Sequence, residues 1–379
     1  MIFRRYTVVA ILLFSMTLFA QTPAPSAHSP APSQAATAAP RPTGPYAPMS
    51  KGAEARGRQV FQMWDSGQAG ALWATFTDNL KKRTGGEAKF VAYAKALKEK
   101  MGSEKAMVKE IMAPTMLSYG TTYSRLSDYT KIGAKVGTTI MMNDKGVVEA
   151  FIVAPDQAVP EGRYAGYQDT AQLRLPFDGE WFVIQGGHTP FENSYMRYEE
   201  GRFSIDFVLL KNGVPFAGDS NKNESFFCFG QPLLAPADGT VVRVENGYAD
   251  NQPGTPTQDA PAGNMVVILH GNKEFSVLDH VKQNSITVKK GDAVKQGDPV
   301  AACGNSGNSP APHVHYQLRN SAGMPPPDPL AAQFHDYIAD GKPVAVGEPV
   351  KGQTVSNAPK AAGTQPATMP EPTKEPVKK

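Results

Sequence analysis

The stretch APHVHYQL, residues 311–318, places two of the chain's seven histidines one residue apart. Successive side chains of an extended strand point to opposite faces, so His313 and His315 would project to one side with Val314 turned away. Taken alone, such a pair is more often part of a solvated strand face than a functional site. A strand of this kind also offers two imidazoles to one metal ion or substrate, so the surrounding sequence has to decide.

Strand-length apolar runs surround this stretch from about residue 167 onward. Each run contains β-branched or aromatic residues and is bounded by Gly, Pro, Asn or Asp, which favour turns. The runs are EWFVIQGG (180–187), RFSIDFVLL (202–210), GTVVRVENG (239–247), NMVVILHG (264–271), EFSVLDHV (274–281) and PHVHYQLRN (312–320). They predict a mainly antiparallel β domain over residues 167–340, which contains six of the seven histidines.

Six segments of this domain follow one another in an order that resembles a known family. They are RFSIDFV (202–208), GQPLLAPADGTVVRVENG (230–247), GNMVVILHG (263–271), FSVLDHV (275–281), VKKGDAVKQGDPVAACGNSGNS (288–309) and PHVHYQL (312–318). Together they resemble the catalytic domain of lysostaphin/LytM-type zinc metallopeptidases, which have a duplicated-hybrid-motif β fold. The resemblance implies zinc-assisted hydrolysis of peptide cross-links in bacterial peptidoglycan, with the peptide stems as substrate.

The resemblance also implies roles for individual residues. A catalytic zinc needs three protein ligands and one open position for water. Asp206 and His315 match two of the family's zinc ligands. His280 and His313 match its two catalytic histidines, which orient the attacking water and stabilise the oxyanion. His270, in VVILHG, is expected to be structural.

One family position is occupied by an unsuitable residue. The usual first ligand is a histidine four residues before the aspartate, and here that position is Arg202, whose guanidinium cannot ligate zinc. The remaining upstream histidine of the domain, His188, is the predicted third ligand, and Glu199 or Glu200 is an alternative source of an oxygen. The gap also leaves open a catalytically degenerate LytM-like scaffold that binds cell wall or activates amidases.

Residues 51–156 form a separate predicted unit. Its apolar residues recur at three- and four-residue steps, which is the spacing of buried helix faces: Phe61, Trp64, Leu72, Trp73, Phe76, Leu80, Phe90, Ala94, Leu97 and Met101. The segments TMLSYGTTYSRL and VVEAFIVAP then have strand character. We predict a small α+β domain whose element order weakly resembles nuclear-transport-factor-2-like domains. It contains no histidine or cysteine, so a metal or thiol site is not expected there.

The two ends of the chain differ in composition from both domains. Residues 1–20 combine the basic start MIFRR with the apolar stretch YTVVAILLFSMTLF and a small Ala20, which predicts an export signal, with an uncleaved anchor as the alternative. Residues 21–50 and 343–379 are rich in Pro and Ala and predict a disordered linker and tail. The protein is therefore expected to be exported, to the periplasm or the extracellular space.

Charge and cysteine content bear on the expected partners of the protein and on the state of its two cysteines. A formal net charge of +3 without a basic block gives no reason to expect a nucleic-acid partner. Cys228 and Cys303 are compatible with one disulfide in an oxidising compartment, with two buried free thiols as the alternative.

Overall fold

The computed structural model describes residues 43–157, 164, 166–323 and 328–359. In these residues four α-helices precede seventeen strands. The helices are α1 (Lys51–Asp65), α2 (Ala69–Ala74), α3 (Asp78–Arg83) and α4 (Glu87–Met101). The strands of the first domain are β1 (Glu104–Pro114), β2 (Thr121–Tyr129), β3 (Val136–Met142) and β4 (Val148–Pro155). The predicted export signal at 1–20 lies outside the described residues.

The first domain packs its helices on an antiparallel sheet of order β1-β2-β3-β4. Helix α1 begins where the Ser50 hydroxyl accepts a hydrogen bond from the Ala53 amide at 3.1 Å, which satisfies one of the free amides of the first turn. Its buried face includes Phe61 and Trp64, as the periodicity predicts. The α+β prediction is confirmed, and the resemblance to nuclear-transport-factor-2-like domains stays a prediction.

The second domain is built on an eleven-stranded sheet within the described residues. Its strands are β5 (Trp181–Gln185), β6 (Ile205–Val208), β8 (Gly239–Glu245), β9 (Met265–Leu269), β10 (Phe275–Asp279), β11 (Ala293–Val294), β13 (Val314–Arg319), β14 (Pro329–Leu330), β15 (Phe334–Ala339), β16 (Lys342–Gly347) and β17 (Thr354–Asn357). A separate two-stranded sheet pairs β7 (Pro232–Leu234) with β12 (Pro299–Ala302). Each of the six predicted runs contains one strand, so the antiparallel β prediction is confirmed.

Strand β13 lies at the centre of this sheet, between β10 and β6. Its apolar side chains, together with those of its neighbours, belong to one large buried core that includes Phe207, Val314, Tyr316 and Leu318. Because side chains alternate along each strand, the residues on the other face of these three strands are brought together. The candidate site occupies that face.

Both predicted boundaries of the disordered ends require correction. The tail predicted from residue 343 instead continues the sheet, because β16 pairs with β15, and β17 pairs with both β15 and β5. Val355 is fully buried there, so the β-branched residues of this segment outweigh its Pro and Lys content. At the other end, Pro48 is buried and the Met49 amide donates to the Thr121 hydroxyl at 3.0 Å.

The two domains are in contact. Ala113 of β1 shares a small buried cluster with Phe182 and Val208 of the second sheet. The Gly218 amide also donates a hydrogen bond to the Tyr119 hydroxyl at 3.0 Å. The first domain is therefore packed against the β domain and is not merely tethered to it.

Two further features bear on the sequence predictions. Cys228 and Cys303 are both free and buried, and the Cys228 thiol donates to the Pro312 carbonyl at 3.1 Å, which matches the free-thiol alternative. No helix in the described ranges combines the length and apolarity needed to cross a membrane.

Candidate metal centre

The pairing of β6 with β13 places Asp206 directly opposite His315. Directly paired residues of an antiparallel ladder point to the same face of the sheet. The carboxylate Oδ1 of Asp206 and Nδ1 of His315 are 2.8 Å apart. Strand register alone is therefore enough to bring these two predicted zinc ligands together.

His280 reaches the same face from the end of β10. Its backbone lies in the left-handed region, with φ at +60°, a strained conformation for a residue other than glycine. Its ring Nδ1 is 2.9 Å from the carbonyl oxygen of Ser306. Since a carbonyl only accepts, Nδ1 carries the proton and Nε2 is left with a lone pair.

The GNSGNS loop supplies that carbonyl, and its shape depends on glycine. Gly307 has φ at +75°, and a Cβ there would lie 2.4 Å from the amide nitrogen of Gly263. Both the positive φ and this close approach exclude an ordinary side chain. The loop is thus the tight turn that delivers His313 and His315 to the site.

His313 is held in the same tautomer as His280. Its Nδ1 donates to the carbonyl of Ala311 at 2.9 Å, so its Nε2 is also left with a lone pair in the neutral ring. Among the described residues this buried Nε2 has no hydrogen-bond partner. It lies 3.7 Å from Oδ1 of Asp206. Two acceptors therefore face each other across a buried gap.

Tyr195 completes the surroundings of Asp206 and was not predicted from the sequence. Its hydroxyl donates to Oδ2 of Asp206 at 3.0 Å, and its ring packs edge-on against the His315 ring with centroids 5.1 Å apart. Burial and the Asp206 carboxylate raise the pKa of this phenol well above its ordinary value. It therefore remains a proton donor. Neither the residue type nor the position of Tyr195, eleven residues before Asp206, belongs to a periodic sequence pattern that would indicate a role in the site.

The electrostatics of the cluster favour the ionised form of Asp206 and shift the pKa values of two neighbouring histidines in opposite directions. Burial by itself would raise the pKa of Asp206, but the charges and hydrogen bonds of His313, His315 and Tyr195 lower it below the ordinary value. For His315, burial is outweighed by the hydrogen bond with Asp206, which raises the pKa. Burial and the neighbouring histidines lower the pKa of His280 well below its ordinary value.

Three histidines of the described chain, His280, His313 and His315, form a group whose candidate ligand atoms lie within 4.8 Å of one another. All three are between 5% and 8% exposed and Asp206 is 4% exposed. A metal ion held there would be bound by buried side chains. The arrangement can therefore hold a divalent cation with one carboxylate and up to three imidazoles around it.

The structure does not bring the predicted third ligand to this group. Nε2 of His188 is 2.6 Å from Oε2 of Glu348, and its ring packs on Phe203. This corrects the prediction, and the reason is that Glu348 lies in the segment that sequence analysis had placed in a disordered tail. Glu199 and Glu200 are exposed.

His270 has the structural position that the sequence predicts. Its Nδ1 lies 2.8 Å from the Asp238 carbonyl and its Nε2 lies 2.8 Å from the Ser276 hydroxyl. Both ring nitrogens are therefore used in hydrogen bonds within the domain, and neither is free for a ligand.

Comparison with known proteins shows which protein family the β domain resembles. Residues 222–327 match Peptidase family M23, a range that includes His280, His313 and His315 but not Asp206. The chain is 36% identical over 167 residues to the peptidoglycan DD-endopeptidase ShyA of Vibrio cholerae, covering 40% of this chain and 33% of ShyA. It is 38% identical over 89 residues to an uncharacterized metalloprotease of Haemophilus influenzae, covering 24% of this chain and 16% of that protein.

The chain thus spans no more than about a third of the length of these two relatives. Among solved structures it resembles a zinc containing peptidase from Vibrio cholerae, at 19% identity and a TM-score of 0.27 over 56% of each chain. It also resembles the catalytic domain of the M23 protein EnpA of Enterococcus faecalis, at 22% identity and a TM-score of 0.28 over 42% of this chain and 95% of that domain. The family match over residues 222–327 and the order of the motifs make this part of the β domain similar to peptidase family M23, of the lysostaphin/LytM type.

Proposed function

We propose that this protein is an exported zinc-dependent endopeptidase that hydrolyses peptide cross-links of bacterial peptidoglycan. The match of residues 222–327 to a peptidase family supports hydrolysis of a peptide bond. The name of the relative ShyA, a peptidoglycan DD-endopeptidase, supports the substrate class. The observation that carries the proposal is the unpaired Nε2 of His313, which faces the Asp206 carboxylate in a buried site.

That observation supports a cation between the two residues. A buried polar group without a hydrogen-bond partner costs about 1–3 kcal/mol, and a carboxylate opposite an imidazole lone pair adds repulsion. A metal ion held between them would be bound by both lone pairs. The donor set of one carboxylate and imidazole nitrogens is the set that zinc prefers.

We further propose that His313 is the third ligand, together with Asp206 and His315. Zinc bonds of about 2.0–2.1 Å at tetrahedral angles put neighbouring ligand atoms about 3.3 Å apart. The separations from Oδ1 of Asp206, 2.8 Å to His315 and 3.7 Å to His313, lie on either side of that value. This assignment differs from the family resemblance, in which His313 is catalytic, and it removes the need for a histidine at position 202.

His280 is then the remaining catalytic histidine. Its Nδ1 is fixed by the Ser306 carbonyl, so its Nε2 is available to accept a proton from the attacking water. A zinc ion held by Asp206, His313 and His315 would supply Lewis acidity to the reaction. The hydrogen bond from Nδ1 to the Ser306 carbonyl holds the His280 ring in place, and the burial of the neighbouring side chains shields their hydrogen bonds from bulk water.

The test separates ligands from the catalytic base. Zinc content is measured by atomic emission on the mature protein and its variants, and hydrolysis is measured as release of uncrosslinked muropeptides. We expect His313→Ala and His315→Ala to lose both zinc and hydrolysis. We expect His280→Ala to keep its zinc and to lose hydrolysis by about 100-fold or more.

His188→Ala is the matched control, because this histidine lies in the same domain but pairs with Glu348. It should keep both zinc and hydrolysis. If His313→Ala retained full zinc, the ligand assignment would be wrong while the enzyme proposal could still stand. If the unmodified protein bound no zinc and cleaved no cross-links, the enzyme proposal itself would be wrong.

A second function is favoured by one residue. Arg202 stands where the family has a zinc ligand, and Nε of Arg202 is buried without a hydrogen-bond partner in the described structure. A guanidinium has no lone pair to offer a metal ion and cannot replace that ligand. The alternative is therefore a scaffold that binds cell wall or activates an amidase. Wall binding without hydrolysis at any zinc concentration would favour it.

A further inference from the structure

The first domain contains an apolar cavity that the proposed peptidase function does not use. It lies between helices α3 and α4 and strand β4, and its volume is about 320 Å³. Its walls are mainly aromatic and aliphatic, and include Trp64, Phe76, Leu80, Phe90 and Phe151. The rings of Phe76 and Phe90 pack edge to face at 4.9 Å, and Phe151 contacts both Phe76 and Trp64. The walls are therefore built from side chains that fix one another.

A cavity of this size is not an ordinary packing defect. Protein interiors are close-packed and contain few voids larger than a water molecule, whereas small-molecule sites typically occupy about 300–1,000 Å³. The cavity also reaches the surface, because two of its lining residues, Tyr93 and Ile152, are 42% and 36% exposed. It has the size and opening of a binding site for an apolar group.

The charges at its opening indicate what else the ligand carries. Among the described lining residues the charged ones are Arg83 and Lys89, both exposed cations. Two further lysines, Lys81 and Lys82, stand beside Arg83 in the last turn of α3. An apolar interior with cations at the mouth is complementary to a molecule with an apolar chain and an anionic head.

We propose that the first domain binds a single-chain anionic amphiphile, such as a fatty carboxylate. The chain fills the aromatic cavity, and the head group lies at the surface beside Arg83 and Lys89. This inference is independent of the zinc site and of the peptidase reaction.

The finite volume of the cavity gives the first test. The full mature protein is titrated calorimetrically with carboxylates of increasing chain length, from octanoate to hexadecanoate, each kept below its micelle concentration. Each buried methylene is worth about 0.8 kcal/mol, so the Kd should fall about fourfold per methylene. The decrease should stop once the chain outgrows the cavity. Absence of saturable binding for every chain length would overturn the proposal.

The head-group assignment is tested with matched variants and ligands. Lys89→Glu should weaken dodecanoate binding by about two- to fivefold, as expected for loss of an exposed ion pair, and should leave dodecanol binding unchanged. Lys95→Glu is the control, because Lys95 lies on the same helix but lines a neighbouring groove. Equal affinity for dodecanoate and dodecanol, unaffected by Lys89→Glu, would overturn the anionic head group.

A variant that fills the cavity completes the experiment. Ala150→Trp adds a large side chain to the lining and should abolish carboxylate binding. Circular dichroism and zinc content of the same variant report whether the two domains remain folded. Retention of binding in a folded Ala150→Trp protein would place the ligand elsewhere and contradict the proposal. Dimerisation through this opening, detected by analytical ultracentrifugation, would likewise contradict it.

Discussion

Replacement of Tyr195 by phenylalanine tests how the site holds its aspartate. The substitution removes one hydroxyl, which donates to Oδ2 of Asp206 at 3.0 Å, and it retains the ring that packs against His315. A hydrogen bond to a charged group is worth about 1.5–3 kcal/mol, which corresponds to about a ten- to hundredfold change in an equilibrium constant. Loss of such a support typically costs about 10–100-fold in metal affinity. We therefore expect zinc affinity to fall by that factor.

The assay is competition for zinc with a chromophoric chelator, carried out on the mature protein and on two variants. Tyr198→Phe is the control, because Tyr198 lies three residues away and is 65% exposed. It should bind zinc as the unmodified protein does. If Tyr195→Phe also bound zinc within about twofold of the unmodified protein, then this hydrogen bond would not position Asp206, and the role assigned to Tyr195 would be refuted.

Three further predictions follow from other parts of the structure. His188→Ala should lower the free energy of unfolding by no more than about 1 kcal/mol in chemical denaturation, because its pair with Glu348 is partly exposed; a larger loss would show that the pair is structurally important. Gly307→Ala should lower the melting temperature and the zinc content together, since both its positive φ and the approach to Gly263 exclude a Cβ; an unchanged melting temperature would contradict this. Burial raises the pKa of Asp169 to about 7 in the folded protein, whereas an aspartate of the unfolded chain has a pKa of about 4. The folded state therefore keeps a proton on this carboxyl between about pH 4 and pH 7 that the unfolded state has released. The stability that Asp169 contributes is accordingly present in full below about pH 4 and is lost as pH rises to about 7. Asp169→Asn should flatten that dependence in denaturation midpoints measured at several pH values, and an unaltered dependence would refute the assignment.

The sequence was most informative where side-chain alternation and turn residues coincide. The runs around Asp206, His280 and His315 each combine β-branched residues with flanking turn formers, and each contains a strand. Alternation also predicts that the Asp206 carboxylate is turned away from Ile205 and Phe207. What alternation cannot supply is register, and it is the register of β6 against β13 that places Asp206 opposite His315.

Residues outside regular strands could not be predicted in the same way. Tyr195 lies in a short 3-10 helix, Ser194–Arg197, where no periodicity relates it to the site. His188 was predicted as a ligand because it is the only histidine of the domain that precedes Asp206 in the sequence. Its actual partner, Glu348, is 160 residues away in the chain. Contacts at that separation depend on how the whole sheet closes.

The tail shows the limit of compositional reasoning. Its Pro, Lys and Ala content suggested disorder from residue 343, but the segment TVSN at 354–357 forms β17 between β5 and β15. Four residues are enough for a strand when both neighbouring edges are available. Composition averaged over the whole tail conceals so short an element.

The most direct test of the proposed function is hydrolysis of purified peptidoglycan as zinc is returned to the chelator-treated protein. Three protein ligands in an enclosed site should bind zinc tightly, so activity should rise in proportion to added zinc and level off at about one equivalent per chain. Uncrosslinked muropeptides should appear over the same range. No hydrolysis at any zinc concentration, or equal hydrolysis before zinc is returned, would contradict a zinc-dependent endopeptidase.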